Sequence, residues 1–302
     1  MNQQSQAQRG VILALAAYTM WGVAPIYFKS VSQVNPMEIL SHRIIWSFFL
    51  LGGLLSFTNG WPRVQQVLRR PTQRKLLLLT ALLVGGNWLT FIWAIGNNRM
   101  LEASLGYFIN PIFNVTLGML FLKERLRPMQ WIAVALSATG VVIQVINFGS
   151  VPWVSLVLAG SFGCYGLLRK KINVGAEEGL FIETAVIVPL ALAYLWLSPS
   201  ETSNLFNNTV SLNVLLMAAG IVTTLPLLCF TGAATKLNLS TLGFFQYIGP
   251  SLMFILAISV YGETLALDDI STFAFIWCAL VIFTVDAVRF TRRQRLTRQK
   301  TR

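Results

Sequence analysis

Residues 102–124 read EASLGYFINPIFNVTLGMLFLKE, and residues 241–263 read TLGFFQYIGPSLMFILAISVYGE. Each is an apolar run of about 20 residues, which is enough to cross the hydrocarbon core of a bilayer as a helix. In each, a short polar and aromatic motif ends in proline: Tyr107-Phe-Ile-Asn-Pro111 and Gln246-Tyr-Ile-Gly-Pro250. A glutamate follows each proline at the same spacing, Glu124 and Glu263. The offset between the two copies is 139 residues. Near the same offset Glu38-x-Leu40 matches Glu178-x-Leu180, and Arg43 falls on Glu183.

Ten such apolar segments can be marked: 10–30, 36–57, 76–96, 102–122, 128–147, 151–168, 178–197, 211–232, 240–260 and 270–290. Of the 302 residues, 55% are hydrophobic and only 11% charged, against about 25% in a soluble domain. The runs are continuous and do not alternate polar with apolar, so helices and not a barrel are expected to span the membrane. The 139-residue offset divides the chain into two five-helix copies, 10–147 and 151–290, with polar ends 1–9 and 291–302. Five is odd, so the second copy enters the membrane from the opposite side. The expected fold is therefore an all-α membrane protein with ten transmembrane helices as two inverted five-helix repeats, an arrangement common in secondary transporters. The segment from Gly10 is read as a retained first helix, because Ala14-Leu15-Ala16 comes too early in it to end a signal peptide.

Charge placement sets orientation. With the N-terminus in the cytoplasm, the inside segments hold 20 Lys and Arg: one at Arg9, five in 58–75, three around Lys123, three from Arg169, one at Lys236 and seven from Arg289. The outside segments hold only Lys29 and Arg99, and Arg43 lies within a helix. This bias places both termini in the cytoplasm. It also accounts for the net charge of +12 without a nucleic-acid partner. Cys164, Cys229 and Cys278 lie far apart in apolar runs, without the spacing of metal or redox motifs. No metal and no cofactor is expected.

Further runs, Trp21-Gly22-x-x-Pro25-x-Tyr27-x-Lys29, Glu38-Ile-Leu-Ser-His42-Arg43-x-x-Trp46-Ser47, Gly86-Asn87-Trp88, Ala103 to Pro111, Tyr165 to Lys171 and Phe244 to Pro250, together resemble the RarD family of EamA-type transporters. That family lies within the drug/metabolite transporter superfamily, and the resemblance covers the chain from Arg9 to Arg289. It implies ten helices in two inverted repeats, location in a bacterial inner membrane, and transport of small metabolites or drugs.

Ionisable groups inside a membrane mark candidate sites, because burying them unpaired is costly. Arg43 and Glu183 fall at corresponding repeat positions. Arg43 is expected to attract an anionic or polar group near the outer mouth, unless it snorkels to the surface. Glu183 is the candidate for ion coupling near the inner mouth, unless it reaches the interface or pairs with Arg169 or Lys170. His42, the only histidine, shares a helix face with Glu38. Trp21, Asn87, Trp88, Tyr107, Asn110, Gln246 and Tyr247 complete the candidate substrate contacts; the alternative is that the amides only tie helices together. Glu124 and Glu263 are read as structural, and Asp286 as a local ion partner of Arg289.

No G-x-x-x-x-G-K-[ST] motif or soluble domain is present to use ATP. A lone histidine without G-x-S-x-G gives no catalytic set, so an intramembrane lipid-modifying enzyme and a non-transporting scaffold rank behind a transporter. The expected partners are a small-molecule substrate and membrane lipid. Reporter fusions after Arg302 and within 58–75 should read cytoplasmic, and a fusion within 198–210 periplasmic; a periplasmic C-terminus would remove the ten-helix topology.

Overall fold

A computed structural model of the chain describes residues 3–260 apart from 98, 150, 199, 201, 203 and 204, and then 273–287 and 289. The described residues form helices α1 (Gln3–Ser30), α2 (Pro36–Phe57), α3 (Trp61–Arg69), α4 (Pro71–Gly96), α5 (Met100–Leu122) and α6 (Pro128–Phe148). They continue with α7 (Trp153–Ile172), α8 (Ala176–Leu197), α9 (Val210–Ala234), α10 (Leu239–Gln246) and α11 (Ile248–Ser259). A shorter apolar helix, α12, covers Phe273–Ala287. Eight spans are long and apolar enough to cross a membrane, with α10 and α11 acting as one. Two of the ten expected segments fall short of that standard. The last turn of α7 carries Arg169, Lys170 and Lys171, and α12 as described extends only about 22 Å at 1.5 Å per residue.

Proline accounts for the break between α10 and α11. Pro250 has no amide hydrogen, and its ring crowds the carbonyl of Gln246 one turn back. The helix interrupts at Tyr247 and resumes at Ile248. At the matching place in α5, Pro111 is accommodated inside a continuous helix.

Polar contacts between helix ends show which ends share a side. Arg63 of α3 pairs with Glu178 at the start of α8 at 2.6 Å. Arg127, just before α6, pairs with Asp286 in α12. The expected local pairing of Asp286 with Arg289 is thus replaced by a partner 159 residues away. Lys170 at the end of α7 donates to the carbonyls of Ala234 and Leu237 after α9. All these groups lie at one end of the bundle, called here the α3 end. At the far end, Glu102 accepts from Val154 N at 2.9 Å, and Glu38 accepts from Ser200 and Thr202. Long helices therefore alternate in direction along the chain.

The stretch 58–75 is more than the connecting loop expected from its polarity. It contains α3, whose Val64 and Val67 are buried against Leu55 and Leu77 while Arg63 stays largely exposed. Two glycines mark close helix approaches. A Cβ on Gly22 of α1 would stand 2.7 Å from Leu252 of α11, and one on Gly163 of α7 would stand 2.6 Å from Phe113 of α5.

Glu124 is structural, as expected, and its task is specific. Its carboxylate accepts from the amides of Leu239 and Ser240 at 2.7 and 2.9 Å and from the Ser240 hydroxyl at 2.7 Å. It caps α10 from the segment just after α5, in place of Asn238, whose side chain makes no cap. Carboxylates are favoured at a helix N-terminus by the unpaired amides and the dipole. Its repeat counterpart Glu263 lies outside the described residues. Glu124→Ala should cost about 1–3 kcal/mol, the range for an orphaned buried donor set. The purified variant should show a lower thermal midpoint in detergent, partly restored by Glu124→Gln.

Candidate functional site

Glu183 lies two turns into α8, close to the α3 end. Thr80 of α4 donates to its Oε1 at 2.6 Å and Tyr165 of α7 donates to its Oε2 at 3.2 Å. Arg169, one turn beyond Tyr165 on α7, brings Nη1 to 3.6 Å from Oε1. Both charged side chains are about 1% exposed. Gly179, one turn before Glu183, makes the approach possible: a Cβ there would stand 1.8 Å from Arg169 Nη1. Glu183 thus takes the Arg169 partner, and neither reaches the interface nor meets Lys170, which is used on the carbonyls after α9. A pair so deeply buried recovers its desolvation cost only through close partners. The two hydroxyls serve Glu183, whereas Arg169 donates only from Nη2, to the Gly175 carbonyl, and its Nε and Nη1 are buried without a hydrogen bond among the described residues.

Arg43 lies seven residues into α2 from the far end, as Glu183 lies seven residues into α8 from the α3 end. Its Nε donates to Thr223 Oγ1 of α9 at 2.8 Å, and that hydroxyl donates on to the carbonyl of Ala219. Phe28 of α1 and Trp88 of α4 each place a ring centroid 5.4 Å from the guanidinium carbon. The phenols of Tyr27 and Tyr107 lie within electrostatic reach. Groups from α1, α4, α5 and α9 therefore surround Arg43, which points into the bundle and does not snorkel outward.

A narrow cavity of about 20 Å³, room for a water molecule, lies between these two places. Ser47 and Leu51 of α2, Val84 and Trp88 of α4, Glu183 and Thr184 of α8, and Thr223 and Thr224 of α9 are among its walls. Glu183 lines it directly. Arg43 stands behind Trp88 and Thr223, both of which line it. The Thr224 hydroxyl is buried there with no hydrogen-bond partner.

The other expected contacts are dispersed. Asn87 donates to the Leu158 carbonyl and to Ser161 Oγ at 3.0 and 2.9 Å, tying α4 to α7. Asn114 bridges Asn110 and Gln246 at 3.2 and 3.1 Å, tying α5 to α10. Tyr247 is fully buried and donates to the Phe108 carbonyl at 3.3 Å. Trp21 packs in a ring cluster with Tyr18, Phe162 and Phe230. His42 is buried at the far end, 4.0 Å from Glu38. These six lie outside the cavity lining, whereas Trp88 and Glu183 belong to it; Tyr107 joins the Arg43 surroundings. Thr80, Tyr165, Thr223 and Thr224 are not among the expected residues; Arg169 enters as the ion partner named as the alternative to a coupling role for Glu183. Among the described residues no cluster of His, Cys, Asp and Glu could hold a metal ion.

Comparison with known proteins agrees with this architecture. A model of the EamA-like transporter family matches residues 8–146. An uncharacterized transporter of Vibrio cholerae is 62% identical over 287 residues, covering 95% of this chain and 95% of its own. Protein RarD of Salmonella typhimurium is 57% identical over 291 residues, covering 96% of this chain and 99% of its own. Protein RarD of Escherichia coli K12 is 56% identical over 289 residues, with coverage of 95% and 98%. A crystal structure with only 18% identity has a TM-score of 0.70 over 91% of this chain and 97% of its own, a likeness of fold alone. With identity of this extent along nearly its whole length, the chain belongs to the RarD family of EamA-type transporters.

Proposed function

We propose that this membrane protein is a secondary transporter of small metabolites or drugs. It works by alternating access between two inverted five-helix repeats, with ten crossings and both termini in the cytoplasm of a bacterial inner membrane. The observation that carries this reading is the cavity: its walls come from α2 and α4 of the first half and from α8 and α9 of the second. A site at the repeat interface is where such transporters bind their substrates. An intramembrane enzyme would need a catalytic set, and the cavity walls offer a single carboxylate with no histidine. A scaffold would need no cavity.

Support for the inverted repeat comes from mirrored contacts. Arg43 on α2 bonds a threonine of α9, and Glu183 on α8 bonds a threonine of α4. Gly22 of α1 packs on α11 as Gly163 of α7 packs on α5. Exchanging the halves of the chain converts the first contact of each pair into the second. Arg43 and Glu183 stand at equal depth from opposite ends of the bundle, as the inverted relation requires.

The test is transport into proteoliposomes with a metabolite and drug panel, with and without a pH gradient. Arg43→Gln and Glu183→Gln should insert and accumulate normally yet transport about tenfold less or worse, since a bond to a charged group contributes about 1.5–3 kcal/mol. Glu183→Gln should also flatten any dependence on the pH gradient. Wild-type rates in both variants at equal protein levels would reduce the two residues to structural charges.

A further inference from the structure

The charges inside the bundle do not balance. Glu183 is matched by Arg169. Glu38 is taken up by Ser200 and Thr202 at the far end, beside His42. Lys170 is spent on backbone carbonyls at the α3 end. Arg43, like Lys170, has no carboxylate within ion-pair distance among the described residues, and unlike Lys170 it meets no carbonyl; its one hydrogen bond uses Nε. The two terminal nitrogens of the guanidinium therefore have no protein acceptor among the described residues. They are also not sealed away: Arg43 is only half-buried, and the Tyr107 ring beside it is 37% exposed.

The geometry of the surroundings narrows what could complete the site. The guanidinium is a planar fork whose Nη1–Nη2 edge matches the two oxygens of a carboxylate. Thr223 holds the Nε edge, and Phe28 and Trp88 stand at 5.4 Å, so the fork is fixed in orientation by groups that cannot neutralise it. The same rings, with Tyr107, offer apolar surface next to the free edge. Ligand sites commonly combine such surface with a few oriented polar groups. The adjoining cavity is narrow and contributes the unpaired Thr224 hydroxyl. It has no free carboxylate to receive a cation, because the Glu183 oxygens are already engaged.

We propose that Arg43 is the anchor for the carboxylate of a small organic anion, whose apolar body lies against Phe28, Trp88 and Tyr107 at the edge of the central cavity. The substrate class is thus a monocarboxylate with a compact apolar body. The neutral amide or cationic amine of the same shape leaves the fork unanswered. This rests on the transporter reading only in calling the anion a substrate; the site itself can be tested by binding alone.

The experiment uses the full-length protein in nanodiscs and measures binding of 4-methylpentanoate, 4-methylpentanamide and 4-methylpentylamine, with benzoate and benzamide as a second pair. The carboxylates should bind at least about tenfold more tightly than their amides, the discrimination expected of a charge-assisted fork in a partly desolvated site. Arg43→Gln should erase that preference. Arg43→Lys keeps the charge without the fork and should retain a reduced preference, which separates loss of the anchor from misfolding. Equal or tighter binding of the amides or the amine overturns the proposal. So does absence of carboxylate binding, or a carboxylate preference that survives in Arg43→Gln. Arg43-dependent binding with no movement across proteoliposome membranes would keep the anion site and remove the transporter reading. Movement of the amine or amide with no carboxylate preference would do the reverse.

Discussion

A charge or an unpaired backbone group cannot be left alone in the hydrocarbon layer, and this constraint organises the protein from its helix ends to its centre. Helices satisfy their own interior amides, but the first amides of each remain open. The chain meets several of these needs with carboxylates borrowed from other helices. Glu102 reaches Val154 at the start of α7, and Glu124 reaches Leu239 and Ser240 at the start of α10. Each such bond joins two segments far apart in sequence at a point where a polar group must be answered. Local helix chemistry therefore becomes a tertiary restraint: α5, with Glu102 in its first turn and Glu124 two residues past its end, is fastened to α7 at one side of the bundle and to α10 at the other.

The amides deeper in the bundle obey the same rule. Asn87 is answered by Leu158 and Ser161, and Asn114 by Asn110 and Gln246. Such bonds hold helices whose apolar flanks have no hydrophobic reason to prefer each other over lipid. Close packing at Gly22 and Gly163 supplies the rest, because a missing side chain lets neighbouring helices come into dispersion contact. What remains unanswered stands out. Among the unanswered groups, the Arg43 fork and the Thr224 hydroxyl lie at or beside the cavity, where the proposed ligand would supply the partner.

Much of this was legible in the sequence. Continuous apolar runs without polar/apolar alternation identify the long helices, since such runs span lipid as helices and not as a barrel, and Glu124 is legible as structural though not as a cap on another helix. The placement of Arg43 and Glu183 inside helices was also readable, because a charge in such a run has few explanations. The partners were not. Thr80 and Thr223 look like any helical threonine, whose hydroxyl usually bonds its own preceding turn. Arg169 stands in a run of three basic residues, counted as a loop charge and named with Lys170 as an alternative partner of Glu183, and the sequence does not choose between the two. Only the fold shows that it turns inward over Gly179 while Lys170 turns to the backbone after α9. For Asn87, Asn110 and Gln246, substrate contact and helix tie predict the same residue types, and geometry alone separates them. The helix α3 is not marked by the apolar-run reading because its nine residues are too few and too interrupted by Arg and Gln to read as a span, although Val64 and Val67 are spaced to share a face.

The two mirrored positions have the same depth but not the same state, and this bears on how the proposed cycle could turn. Around Glu183 the helices are closed: α4, α7 and α8 meet through Thr80, Tyr165 and Arg169, and the cavity ends there. Around Arg43 the helices meet through one threonine and a set of rings, which can part without stranding a second charge. Opening the α3 end means drawing α8 away from α4 and α7, and so separating Glu183 from at least one of its donors. Breaking one member out of a buried pair costs about 3–5 kcal/mol when the remaining charge stays dry. That cost falls if water enters as the helices part, or if the carboxylate takes up a proton at the same moment. A barrier of this kind gives an ion gradient a place to act. Under the proposed function, an ionisable group would serve at this joint, although an apolar contact would seal it at less cost to stability.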